Sequence, residues 1–171
     1  MTLGFRGEAL AAISAVTQMR IMTAKEGEEL GTLITASYGS LRDVADSGCP
    51  VGTTIICEAM FAHTPARLKF MKSNASETAY VASVMEKMAI SHPEVAIKFI
   101  ADGKLRFSTS GDGNLKNAIY SVFGRDFASK LISASIELDG IRVEGFIGRP
   151  DNVRANRNYQ NFFINGRYVK S

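Results

Sequence analysis

Gly4-Phe5-Arg6-Gly7 stands immediately before a run of small and apolar residues, and it is the stretch of this sequence best suited to chemistry. Glycine lets a backbone bend and approach a ligand closely. The first N–H groups of a helix lack intrahelical partners and, with the helix dipole, suit an anion such as phosphate. Arg6 adds a charge-assisted donor, and Glu8 falls in the first turn of the expected helix. On spacing alone the same residues also fit a plain glycine turn that caps a helix. A second feature is basic. From 142 to 171 the chain holds Arg142, Arg149, Arg154, Arg157, Arg167 and Lys170 against only Glu144 and Asp151. The rest carries 14 basic and 15 acidic side chains, so the net charge of +3 is concentrated in the last 30 residues. Such a stretch can neutralise the phosphates of a nucleic acid, and it also fits a solvated basic face.

The elements that must position these residues are legible in part. Leu10, Ile13 and Val16 predict a helix from Glu8 to Val16. Met19–Ala24, Leu30–Tyr38 and Thr53–Met60 read as strands, whereas 41–52 clusters Asp, Ser, Gly and Pro and reads as loop. Pro65 suits the first position of a helix. Val81, Val84, Met85 and Met88 predict a helix over about 75–91, with Asn74 and Glu77 as a capping box and Pro93 beyond its end. Asp102-Gly103, Asp139-Gly140 and Asn165-Gly166 each lie between strand-like runs and predict three hairpins. Leu115, Ala118, Ile119 and Val122 predict a further helix with Gly124 as its C-terminal cap. The class is mixed α+β with antiparallel sheet, not a βαβ series.

Composition excludes other classes. Hydrophobic residues make up 46% and charged residues 22% of 171, which is globular composition. No apolar run approaches the roughly 20 residues of a membrane span, and a secretory leader is not expected. Cys49 and Cys57 fit neither a zinc nor a thiol-redox pattern and read as reduced thiols. His63 reads as a surface side chain beside a turn.

GFRGEAL at 4–10, GTTI at 52–55, HTPARLKF at 63–70 and FINGRYV at 163–169, in that order and spacing, resemble segments of the MutL family of mismatch-repair ATPases within the GHKL superfamily. His63 stands where the family has Asn. The corresponding motif of the type II topoisomerase ATPases differs from FRGEAL.

The resemblance implies a partial GHKL (Bergerat-type) ATPase α/β sandwich over residues 1–110. It implies the front of a transducer domain, with a ribosomal-protein-like βαβ fold, over 111–171. It implies that Gly4, Phe5, Arg6 and Gly7 close the ATP lid with their amides on the phosphates. Thr53 would offer its hydroxyl near the adenine pocket, although an ordinary strand threonine reads the same way. Arg149, Arg154, Arg157, Arg167 and Lys170 would contact DNA, Arg167 foremost. The family's catalytic glutamate, magnesium-binding asparagine and Asp-X-Gly-X-Gly motif precede this point, so no catalytic residue and no metal ligand is assigned here. The chain is therefore expected to be an internal piece that does not hydrolyse ATP alone and that leaves one sheet face apolar and uncovered.

For the whole protein the resemblance implies ATP and Mg2+ as cofactors. DNA, a MutS-type mismatch sensor and a second copy are the implied partners, in a bacterial cytosolic, nucleoid-associated setting without membrane. ATP-driven dimerisation of the N-terminal domains would clamp DNA. The alternative is a non-enzymatic DNA- or partner-binding module.

Overall fold

A computed structural model describes residues 6–153, 155 and 157–169. The chain forms two compact units, Met1–Lys72 and Ser73–Ser171. The first contains α1 (Ala9–Ser14), β1 (Gln18–Ala24), β2 (Gly31–Ser37), β3 (Ser40–Ser47), β4 (Gly52–Glu58) and α2 (Pro65–Phe70). The strands form one antiparallel sheet in the order β3-β2-β1-β4. Residues 41–52 are thus not all loop: most of β3 lies there. It is an edge strand, exposed along nearly its whole length, so it tolerates the charges that read as loop, and such charges blunt an open edge.

Directly opposed side chains share a face of a sheet. Val44, Ile34, Ile21 and Ile55 stand opposite one another across all four strands. Met19 with Ala36 and Cys57, and Thr23 with Thr32 and Thr53, form the flanking rows on that face. Met19 is buried, whereas Val44 and Ile55 are 56% and 45% exposed. The expected apolar face is therefore present. The opposite face carries an Arg20–Glu58 ion pair at 3.1 Å with both side chains more than half exposed, a geometry of small energetic worth.

The second unit contains α3 (Asn74–Ser91), β5 (Lys98–Ala101), β6 (Lys104–Ser108), α4 (Leu115–Phe123), α5 (Arg125–Ala128), β7 (Leu131–Leu138) and β8 (Ile141–Gly148). A 3-10 turn at Pro150–Asn152, β9 (Phe162–Ile164) and β10 (Arg167–Val169) complete it. All three expected hairpins form, and their turn residues Asp102-Gly103, Asp139-Gly140 and Asn165-Gly166 all have left-handed φ, as a type I′ turn demands. Two details differ from expectation. The cap of α3 is Ser73, whose hydroxyl accepts the N–H of Ser76 at 3.3 Å. The strand expected from Val95 begins only at Lys98, because Thr109 pins the segment before it. The Thr109 hydroxyl accepts the N–H of Ile97 at 2.9 Å and donates to the Val95 carbonyl at 3.1 Å.

The core of this unit is Ile90 of α3, Ile119 of α4 and Ala128 of α5, with Leu115, Val122, Phe123, Phe127, Leu131, Phe146 and Phe163 packed around them. The β7–β8 hairpin turns Leu131 and Phe146 to that core. Its other face pairs Leu138 with Ile141, Ile136 with Val143, Ala134 with Gly145 and Ile132 with Ile147. The large side chains of that face are exposed. Among the described residues no helix is long and apolar enough to cross a membrane.

The start of α4 yields a pH prediction. Asn114 caps the helix by accepting the N–H groups of Lys116 and Asn117. Asp112 accepts from the Asn117 side chain at 2.7 Å and the Asn114 N–H at 2.8 Å. These bonds, the Asn117 side chain foremost, hold the Asp112 carboxyl below its ordinary range. A lowered folded-state pKa gives stability that is present above the unfolded value and lost as pH falls through the folded one. Protection of the Lys116 and Asn117 amides against hydrogen exchange is therefore expected to hold near neutrality and to decline as pH falls below about 4. Equal protection across that range in Asp112→Asn and the native chain would contradict the assignment.

Candidate nucleotide and nucleic-acid sites

The glycine loop leads into α1. Gly4 and Phe5 lie outside the described residues; Arg6 and Gly7 are described and exposed. Gly7 has φ +67, and among the described residues beyond its chain neighbours no atom lies within 4 Å of the place a Cβ would take. Among the described residues the backbone is thus bare on that side. Glu8 is the N-cap residue of α1, itself helical, and its side chain makes no capping hydrogen bond. The helix has only six residues and no buried one. Its dipole is correspondingly slight, so any anion held here relies on the loop amides and Arg6.

The other end of α1 is better secured. Thr17, fully buried, donates its hydroxyl to the Ile13 carbonyl at 2.8 Å. The N–H groups of Gly39, Phe61 and Tyr38 donate to the carbonyls of Ser14, Val16 and Thr17 at 2.9, 2.8 and 2.9 Å. Carbonyls at and just past a helix end need partners of this kind.

Thr53 lies on β4, on the sheet face that carries Ile21 and Ile55. Its hydroxyl is 2.9 Å from that of Thr23, its register partner on β1. The pair is exposed, so Thr53 stands in a polar row beside the apolar row of Val44, Ile34, Ile21 and Ile55. The HTPAR segment forms the start of α2. Thr64 is its N-cap and Pro65 its first residue, as the missing N–H of proline favours. The His63 ring stacks on Tyr38 with centroids 3.7 Å apart and planes 10° apart.

The basic residues occupy the stretch after β8. Arg149 is exposed, and its N–H donates to the Lys130 carbonyl at 2.9 Å. Arg157 is exposed in the turn before β9, where its carbonyl accepts from Gln160 at 2.9 Å. Arg167 begins β10 opposite Ile164 and is exposed. Arg154 and Lys170 lie outside the described residues. Tyr159, beside this stretch, packs against Phe123 and Phe127 at 5.5 and 5.1 Å between centroids, which anchors the segment preceding β9. Lys87 of α3 lies 4.5 Å over the Tyr168 ring of β10, a cation–π contact that ties the last hairpin to the helix. Among the described residues no group of three His, Cys, Asp or Glu side chains could hold a metal ion.

Comparison with known proteins agrees along the chain. The family model "DNA mismatch repair protein, C-terminal domain" matches residues 119–171. The DNA mismatch repair protein MutL of Agathobacter rectalis is 45% identical over 170 residues, covering 99% of this chain and 26% of that protein. That of Thermoanaerobacter pseudethanolicus is 42% identical, over 99% and 28%. The chain thus spans about a quarter of the length of these curated relatives. Among solved structures, the Aquifex aeolicus MutL ATPase domain complexed with ADP superposes with a TM-score of 0.81 at 25% identity, over 96% of this chain and 63% of that one. The N-terminal domain of a DNA repair protein shares the fold, with a TM-score of 0.82 at 24% identity over 99% of this chain and 57% of that one.

Proposed function

The chain belongs to the MutL family of DNA mismatch repair proteins, and from that membership we propose that it is the part of a repair ATPase that closes on the nucleotide phosphates and carries nucleotide state toward bound DNA. The observation that carries the reading is the GFRG loop. It leads into α1 with Gly7 left-handed and bare, in a chain whose fold overlaps that of a MutL ATPase domain complexed with ADP. Gly4, Phe5, Arg6 and Gly7 hold the phosphates, and Thr53 sits by the base. ATP is the cofactor. Mg2+ accompanies it in the family's chemistry; no ligand for it is assigned among these residues. Residues 1–110 are the back of the ATPase domain and 111–171 the front of the transducer domain, a division that the family match to 119–171 supports. The partners are DNA, a MutS-type mismatch sensor and a second copy, in a bacterial cytosol.

Equilibrium binding tests the nucleotide part in the longer protein that carries this segment. ATP should bind saturably and ADP should displace it. Absence of any nucleotide binding, with DNA still bound, would favour the alternative of a non-enzymatic DNA- or partner-binding module.

The DNA part makes its own prediction. Arg149, Arg157 and Arg167 are exposed cations on a basic stretch, with Arg154 and Lys170 in the same set. Each phosphate contact removed should weaken duplex binding irrespective of sequence and lower the slope of log affinity against log salt by about 1. Arg167→Ala is expected to show this most clearly in a salt titration. A slope unchanged in all of these variants would remove the stretch from the interface.

A further inference from the structure

Among the described residues, four two-residue turns have both central residues at left-handed φ. Three begin with Asp or Asn, whose short polar side chains tolerate that conformation. The fourth joins β2 to β3 and uses Tyr38 at φ 48 followed by Gly39 at φ 83. An aromatic side chain gains nothing from its own turn in this conformation, and such an outlier persists only where the surroundings over-determine it.

What holds Tyr38 lies outside its turn. Its ring stacks on His63, and its hydroxyl donates to the Ala59 carbonyl at 3.3 Å. Ala59 and Phe61, in the loop after β4, are also left-handed non-glycine residues, with φ 51 and 62. Three strained residues from two separate loops therefore meet, and they meet at the end of α1. Tyr38, Gly39 and Phe61 supply the three N–H groups that bond the carbonyls of Thr17, Ser14 and Val16. Since α1 buries none of its own residues, its orientation depends on this attachment.

We propose that Tyr38 and His63 are positioning residues for the nucleotide loop: their stacked rings fasten the β2–β3 turn to the loop before α2, both loops grip the end of α1, and α1 thereby aims the loop that precedes it. The inference rests on the reading of Gly4–Gly7 as a phosphate cradle. Neither ring is required to touch nucleotide.

The test uses the longer protein that carries this segment. Tyr38→Asn suits the turn but removes the ring, and His63→Ala removes the other ring. Each is expected to raise hydrogen exchange at the Gly39 and Phe61 amides by about tenfold, the scale of one lost stacked pair. The double variant should raise it no further, because the rings act as a unit, and Tyr38→Phe should stay near the native rate. The KM for ATP should rise severalfold in the ring-deleted variants with kcat largely kept, and Tyr38→Phe should restore it. Unchanged exchange at Gly39 and Phe61 would overturn the clamp. Raised exchange with an unchanged KM, when Arg6→Ala does raise it, would overturn the positioning role and leave the loop reading intact. An unchanged KM in Arg6→Ala as well would refute the nucleotide loop and the inference together.

Discussion

Gly31→Ala is expected to lower the urea midpoint of the four-stranded sheet well below that of the native chain. Gly31 is buried at the start of β2. A Cβ built there would stand 2.5 Å from the Thr23 carbonyl oxygen, 2.5 Å from the Cys49 Sγ and 2.8 Å from the Ala24 Cβ. The Cys49 thiol can turn aside. The Thr23 carbonyl cannot, because it belongs to β1, which is paired on both sides, with β2 and with β4. Relief would have to come from moving one ladder away from another. Overpacking of a dense site costs about 1–3 kcal/mol, and more where backbone must shift, so a loss of about 3 kcal/mol is expected. That is a large share of the 5–15 kcal/mol typical of a whole domain. Gly48→Ala is the control: nothing lies within 4 Å of its Cβ position, so its unfolding midpoint should match the native one. Equal midpoints for the two variants in urea would show that β1 and β2 are less firmly registered than their pairing indicates.

The second large effect falls on ligand binding rather than folding. Gly7→Val places a β-branched residue at φ +67, where such side chains are rarely tolerated. Among the described residues beyond its chain neighbours nothing lies within 4 Å of the Cβ position, so no packed side chain there has to give way to the new Cβ. The exposed loop instead relaxes to another backbone conformation, which turns its amides away from the ligand. Strain of about 1–3 kcal/mol corresponds to roughly a 5- to 150-fold fall in affinity for ATP, with the thermal midpoint nearly unchanged. Native affinity in Gly7→Val would mean that this loop does not hold phosphate.

The parts of the structure that the sequence reveals are those set by local rules. The helices α3 and α4 follow from apolar periodicity, and three hairpins follow from Asp-Gly and Asn-Gly. The strand β3 escapes because its residues answer to an edge position, where both faces meet water and no alternation is enforced. Its turn escapes as well, since Tyr38-Gly39 lacks the usual Asn or Asp. The helix α5 is only four residues long, too short to show a period. Ser73, rather than Asn74, caps α3, and the two differ by a single position of backbone geometry. The candidate site divides the same way. The glycine loop, Thr53 and the arginines are motif or charge features and can be read directly. The Tyr38–His63 stack joins two loops that only the folded sheet brings within reach, so His63 reads beforehand as a mere surface histidine.

The tight turns bear on how quickly this chain can assemble. Hairpins joined by two residues close in about 1–10 μs, and β5–β6, β7–β8, β9–β10 and β2–β3 are all of that kind. The pairing of β1 with β4 is different: Arg20 meets Glu58, 38 positions away. Closing so long a loop must be met before its contacts give anything in return. In the first unit, docking of β4 is accordingly expected to govern the rate, and the loop that seats His63 against Tyr38 to take shape only after it.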